Sequence, residues 1–449
     1  MQHEDLKRRV LAEIDSNAAH LISVGNRIYK DPELGFKEFR TAKIVADEFQ
    51  RLSLGYHEGI AITGLKTQVA GQGGAGPTVA VLGELDSVLV ADHPDANPET
   101  GAAHCCGHNA QLMTMLGVAN GLIRSGVINE LAGNVAFFAV PAEEYVEIDY
   151  RAGLRREGKT EFLGGKSEMI RLGAFDDVDM AMMVHGSSTG MTKAISGVSK
   201  SSNGFIGKQA RFIGKAAHAG GAPHRGVNAL YAAQIALSAI NAQRETYQDD
   251  DAVRIHPILT RGGDLVNVIP NDVRLETMIR GKTAAAIEDA SAKVDRALRA
   301  GAIALGADVE ITTLPGYMPL HNERGMADFF KGNFLNFYAE EEWEESGHGA
   351  GSTDMGDIAQ IMPALHPVVN GFVGSAHASD WAIDDPYLVY VLPAKLMAMT
   401  VIDLLAGQAE GARGILDTYQ APMTKDEYLA FMRRNARETT FSGAAVGAE

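Results

Sequence analysis

Three short runs in the first 185 residues are apolar at nearly every position: TVAVLG (78–83), NVAFFAV (134–140) and VDMAMMV (178–184). Runs of this length, apolar without alternation and separated by helical stretches, predict strands covered on both faces, and hence a parallel sheet in an α/β fold. The stretches between them carry the helical period. In AKIVADEFQRLSLG, Ile44, Val45, Phe49 and Leu52 recur at helical spacing and Gly55 marks a stop. QLMTMLGVANGLIRSG sets Leu112, Met115, Leu116, Ala119, Leu122 and Ile123 on one stripe, which predicts a crossover helix.

From about residue 201 the pattern changes. KQARFIGKAAHAGGAPHRGVNALYAAQIALSAINAQ reads as strand, Gly/Ala-rich turn and helix. AVRIHPILTRGG and DVRLETMIRG read as amphipathic strands, AAIEDASAKVDRALRAGAIALG as a helix and ADVEITTLPG as a last strand. This β-α-β-β-α-β order predicts a ferredoxin-like α+β domain inserted into the first one. The expected organisation is 1–200 and 317–449 for the α/β domain, its mostly parallel sheet carrying helices on both faces, and 201–316 for the insert. In the second part HNERGMADFFKGNF resumes a helix and a long apolar helix runs from about Pro386 to Leu405.

A chain of 449 residues exceeds one ordinary core, in keeping with two domains. The formal charge of −17 disfavours nucleic acid and anionic membranes as partners, and points to a small molecule instead. MQHEDLKRRV has no apolar core of a secretory signal, and Pro393, Lys395 and Asp403 interrupt the best candidate span, so a cytoplasmic protein with no membrane partner is expected. The two cysteines, Cys105 and Cys106, are adjacent and cannot staple a fold.

The residues just past each strand change the picture. TVAVLG leads into Glu84 and Asp86, NVAFFAV into Glu143 and Glu144, and VDMAMMV into His185. In open α/β sheets the ligand crevice lies outside the carboxyl ends of the strands, so these groups are delivered to one edge, with HCCGHN (104–109) in a loop that can reach it. Each acid alone is equally well a helix-capping residue, a lone histidine is more often hydrogen-bonded than ligating, and Cys106 alone is more often a small buried hydrophobe. Together, thiolate, imidazole and carboxylate suit zinc or a similar divalent ion, and a Glu pair allows one carboxylate to bind metal while the other acts as general base.

The order of motifs resembles the M20 metallopeptidase and amidohydrolase family, in its cysteine-ligand, hippurate-hydrolase-like and aminobenzoyl-glutamate-hydrolase-like branch. The segments are DPELGFKEFRTAKIVADEF, GELDSV, HCCGHNAQLMTMLG, PAEE, MMVHG, GKAAHAGGAPHRGVNAL, NVIPNDVRLETMIRG, GSTDMGD and GSAHASDWAIDD, nearly the whole chain in register. The resemblance implies two divalent ions, Mn2+ or Zn2+, held by Cys106, His108, Glu144, His185 and His377, with Cys106 bridging. It further implies Glu143 as general base, Asp86 as the carboxylate orienting a ligand, and His218 as an oxyanion-stabilising residue reaching a partner's site in a homodimer. Asn267 and Arg280 match substrate-carboxylate or dimer-interface positions. The activity implied is hydrolysis of a C–N bond by metal-activated water, in an N-acyl or N-aroyl amino acid, an aminobenzoyl-glutamate or a small dipeptide. Aryl-amine deamination at the same site is the alternative, and a non-catalytic binding protein on the same scaffold ranks below both.

This sequence departs from the family in three places. Glu84 stands where the broader family has a ligating histidine, and Cys105 fills a variable slot and is read as a spectator. Arg151, Arg155, Arg156, Lys159 and Lys166 make a basic cluster in an acidic chain, read either as capture of a substrate carboxylate or as a solvated helical turn or oligomer contact.

Overall fold

A computed structural model describes residues 2–190 and 192–444. The described residues divide into two units: those within 1–200, 321–347 and 357–424 form the first, and those within 201–320, 348–356 and from 425 onward the second.

The first unit is built on a six-stranded sheet in the order His57–Ile60, Gly64–Ala70, Ala132–Val140, Gly74–Glu84, Met180–Met182, Ala364–Leu365. The last four strands are parallel, and the antiparallel 57–70 hairpin is laid against the outer side of 132–140. Because the four run the same way, Glu84, Val140, Met182 and Leu365 end on one edge. Helix His108–Arg124 packs against strand 74–84 and, beyond it, against helices Gln2–Ser16, Ala18–Tyr29 and Leu392–Leu405. It is therefore buried at every position from His108 to Leu122, on all faces rather than along the single stripe its apolar spacing suggested. Residues Pro386–Leu405 are, among the described residues, long and apolar enough to cross a membrane, the interrupting Pro, Lys and Asp notwithstanding; 89% of their apolar window is buried inside the fold, so they serve as core.

In the second unit, antiparallel strands Gly204–Ile213, Asp272–Gly281 and Asp308–Pro315 carry helices Ala229–Ala242 and Ala284–Leu305, packed on one another through alanines. The expected strand through AVRIHPILTRGG is broken into Arg254–Ile255 and Ile258–Arg261 at Pro257, which has no N–H for the ladder. Strand Arg437–Ser442 pairs along Asp308–Thr313, so the last strand of this sheet comes from the segment assigned by sequence to the other domain. Its alternating pattern carried no mark of the partner, since sheet pairing at long range is not a local signal.

Candidate metal centre

Four segments bring side chains to the carboxyl edge of the sheet. Glu84 ends the 74–84 strand and Asp86 follows it, Glu143 and Glu144 follow 132–140, His185 opens strand His185–Ser188 just beyond 180–182, and Cys106 and His108 stand at the start of the central helix. That helix is entered through Gly107 at φ 87, a left-handed conformation open to glycine, and a Cβ there would come within 3.2 Å of Gly186 Cα. The close approach sets His108 and His185 face to edge, ring centroids 6.3 Å apart. His377 arrives from the other half of the chain in a left-handed conformation of its own, φ 61, its N–H donating to the Cys105 carbonyl at 2.8 Å. Strain at a non-glycine residue persists where surrounding contacts over-determine it.

The donor atoms converge in three groups, two that share the Cys106 sulfur and a third made of Glu84, His108 and Glu143. Cys106, His108 and His185 form the first and Cys106, Glu144 and His377 the second, the ligand atoms of each lying within 4.8 Å of one another. Cys106 Sγ is 3.5 Å from His185 Nε2 and 3.3 Å from His377 Nε2, and His377 Nε2 is 3.1 Å from Glu144 Oε1. Glu144 Oε1 and His108 Nε2 are buried, yet neither is aligned for a hydrogen bond. Donor atoms crowded to about 3 Å, two of them buried with no aligned hydrogen bond, are placed as ligands of a common ion are, and the thiolate, imidazole and carboxylate set fits a divalent cation of the zinc or manganese kind.

Asp86 ties the two halves of this arrangement together. His108 Nδ1–H donates to the Asp86 carbonyl at 2.9 Å and faces its Oδ1 at 3.2 Å, while Asp86 Oδ2 accepts from the Glu144 N–H at 2.8 Å. One carboxylate thus leaves His108 Nε2 directed inward and fixes the backbone beside Glu143. His185 Nδ1–H donates in the same way to the Gly186 carbonyl at 2.7 Å.

The electrostatics reflect this crowding. Burial and the Glu144 carboxylate push the Cys106 thiol up, but His185 and His108 outweigh them and leave it at about 6, a thiolate at neutral pH. His377 is raised to about 11 by the Cys106 sulfur and the Glu144 carboxylate that its Nε2 faces. Cys105, by contrast, is fully buried in the apolar core, where burial pushes its thiol up to about 12.

The surroundings hold groups that sequence reasoning did not place. Neither Arg151 nor Lys166 is solvated. Arg151 donates to the carbonyls of Ala142, Leu163 and Glu144, and Lys166 pairs with Glu84 at 2.5 Å. Only Arg156 and Lys159 of the basic cluster are exposed. Glu38, buried beneath the PAEE turn, accepts from the Ala142 N–H at 2.7 Å. His366 follows strand 364–365 and donates through Nδ1 to the Met183 carbonyl at 2.9 Å, edge-on to His185. The last could have been found from the rule that marked the other strand ends.

Three expected site residues lie in the second unit. His218 is exposed, its Nδ1 accepting from the Gly220 and Gly221 N–H groups, and it bridges through its backbone to Val268. Asn267, also exposed, is next to it, its carbonyl accepting from the Ala219 N–H at 2.9 Å. Arg280 donates to Ser352 Oγ at 3.0 Å and its guanidinium lies over the Phe205 ring.

Residues 201–304 match the peptidase dimerisation domain of the M20 family. The Xaa-Arg dipeptidase of Mus musculus is 27% identical over 433 residues, covering 91% of this chain and 92% of its own. The IAA-amino acid hydrolase ILR1-like 4 of Arabidopsis thaliana is 24% identical, covering 82% and 80%. Among solved structures, a dinuclear metal-binding M20 peptidase from Bacillus subtilis superposes with a TM-score of 0.65 at 18% identity, over 87% of this chain and 99% of that one. The aminobenzoyl-glutamate utilization protein of Klebsiella pneumoniae does so with a TM-score of 0.65 at 18% identity, over 87% and 97%. These likenesses bear out both the resemblance read from the motifs and the α/β fold class.

Proposed function

We propose that this chain, a metal-dependent hydrolase of the M20 type, cleaves the C–N bond of a small carboxylate-bearing amide: an N-acyl or N-aroyl amino acid, an aminobenzoyl-glutamate or a small dipeptide. The observation that carries the reading is the position of Glu143. It adjoins the ligand cluster, its Oε2 3.8 Å from His108 Nε2, while Glu144 beside it faces His377. One carboxylate of the pair is thus turned to the second donor group, and the other stands at the margin of the first, where a proton can be moved.

Cys106, His108 and His185 would hold one ion and Cys106, Glu144 and His377 the other. When bound, such ions polarise a carbonyl oxygen and make water a nucleophile at neutral pH. Glu143 takes the proton from the attacking water and returns it to the leaving nitrogen. Asp86 keeps the His108 ring in one tautomer throughout, through the contacts at Nδ1. His218 belongs to the oxyanion of a neighbouring copy, and Asn267 and Arg280 to a substrate carboxylate or the dimer contact; the dimerisation-type domain supports a homodimer. A reducing, cytoplasmic setting suits a site whose sulfur is free.

The test is Glu143→Gln. Metal content should stay at the wild-type level while turnover on a panel of N-acyl amino acids and aryl-glutamates falls about 10²–10⁴-fold. Turnover that survives the substitution overturns the assignment. Run in oxygen-18 water, the assay separates amide hydrolysis, with label in a released carboxylate, from aryl-amine deamination, with label in a phenol.

A further inference from the structure

His366 takes no part in the reaction proposed above, although it stands in the same row of strand ends. It follows Ala364–Leu365, the last of the four parallel strands, and is 7% exposed. Leu365 is in register with Met182, and Val368 with His185. Counting between these pairs sets His366 level with Met183, and alternation along a strand then places its side chain on the face that carries His185.

Its backbone and its ring are both fixed. The His366 N–H donates to Asn322 Oδ1 at 2.6 Å and Nδ1–H to the Met183 carbonyl at 2.9 Å. The carbonyls on either side, of Leu365 and Pro367, accept the N–H groups of Met183 and His185 at 3.0 and 2.8 Å. The ring so held stands edge-on to that of His185, centroids 5.6 Å apart and planes at 88°. His185 itself uses Nδ1–H on the carbonyl of the next residue, Gly186, at 2.7 Å, and turns Nε2 toward Cys106 Sγ at 3.5 Å. A carbonyl one residue away selects the tautomer, but it belongs to the same stretch of chain as the ring it bonds. For His108 the group on another segment that sets the ring is Asp86; for His185 it is His366.

We propose that His366 is the positioning residue of the His185 ligand. Its ring is the wall against which the His185 ring is set, and the bond to Met183 ties that wall to the stretch of chain from which His185 projects. The effect is confined to the Cys106, His108 and His185 group, because Glu144 and His377 of the second group come from other segments. Partners that orient a ligand from beyond the ion are worth about 10–100-fold in metal affinity. Phenylalanine at 366 would keep the wall and lose the tie, whereas asparagine would keep an N–H for Met183 and lose the wall. The inference rests on the metallohydrolase reading and deepens it.

Rates of metal loss test it without an activity assay. Protein is loaded with Mn2+ or Zn2+, transferred to metal-free buffer by gel filtration and followed for metal per subunit. In a His377→Ala background, which leaves the Cys106, His108 and His185 group whole, His366→Ala should speed the loss about tenfold or more. His366→Phe should recover most of the retention and His366→Asn little of it. In a His185→Ala background, which leaves Cys106, Glu144 and His377, His366→Ala should change the rate by no more than about twofold, whereas a general loosening of the fold would speed the loss in both. Unchanged retention in the first background, or an equal acceleration in the two, overturns the proposal. His366→Asn gives the same decision if His366→Ala does not fold, since it also removes the wall: retention like that of His377→Ala alone overturns the proposal. A wild type that takes up no ion under any loading removes the metallohydrolase reading itself, which distinguishes the two failures.

Discussion

The guanidinium of Arg151 donates to the carbonyl oxygen of Ala142, 3.2 Å away, at a residue whose φ is 54. On the other side Glu38 accepts the N–H of the same residue. The turn that presents Glu143 and Glu144 is thus clamped by a buried cation and a buried carboxyl, and its left-handed residue is held in place by both.

Arg151→Met should therefore do more than remove a charge. It takes the guanidinium away from three carbonyl oxygens, of which those of Ala142 and Glu144 keep the N–H groups of Gly165 and Val146, a loss of about 1–3 kcal/mol in urea unfolding. Turnover should fall with the loosened turn, and Arg151→Lys, which cannot span three acceptors in one plane, should recover little of it.

The adjacent cysteines should behave oppositely. Cys106→Ala removes the sulfur common to two of the donor groups and should abolish stoichiometric metal retention. Cys105→Ala trims a side chain of the apolar core and should cost about 1 kcal/mol in thermal unfolding with metal content unchanged. Elemental analysis of the two variants side by side checks both outcomes.

A pH signature is expected from Glu38. Burial, aided by Asp86, raises its carboxyl to about 7, against hydrogen bonds that lower it. A folded value above the unfolded one means the native state holds the proton more tightly. The stabilisation is full below the unfolded value of 4.5, declines as pH rises, and is gone above about 7. Glu38→Gln, which keeps an oxygen for the Ala142 N–H, should remove this decline. The check is the difference in unfolding free energy between wild type and variant at pH 4.5 and pH 7.5; a difference independent of pH would contradict it.

Much of the centre was legible because strand ends are local events. An apolar run followed by an acid or a histidine marks both the strand and the group it delivers, and this rule located Asp86, Glu143, Glu144 and His185; resemblance added His377. What escaped was whatever depends on a neighbour distant in sequence. Arg151 and Lys166 look like ordinary surface basics in the sequence, and only the partners they meet, the PAEE turn and Glu84, place them inside. Strand 437–442 escaped for the same reason, its partner lying more than a hundred residues away. Pro257 breaking a strand was a local cue that the amphipathic pattern overrode.

The sulfur of Cys106 and the ring of His377 come together across 271 positions of sequence. Closing so long a loop is entropically costly, and the contact forms only when both halves of the first unit have met around the 108–124 helix. The Cys106, His108 and His185 group, by contrast, spans only residues 106–185. The complete donor set therefore cannot close until residue 377 has joined the segment around Cys106, a separation that spans more than half of the chain.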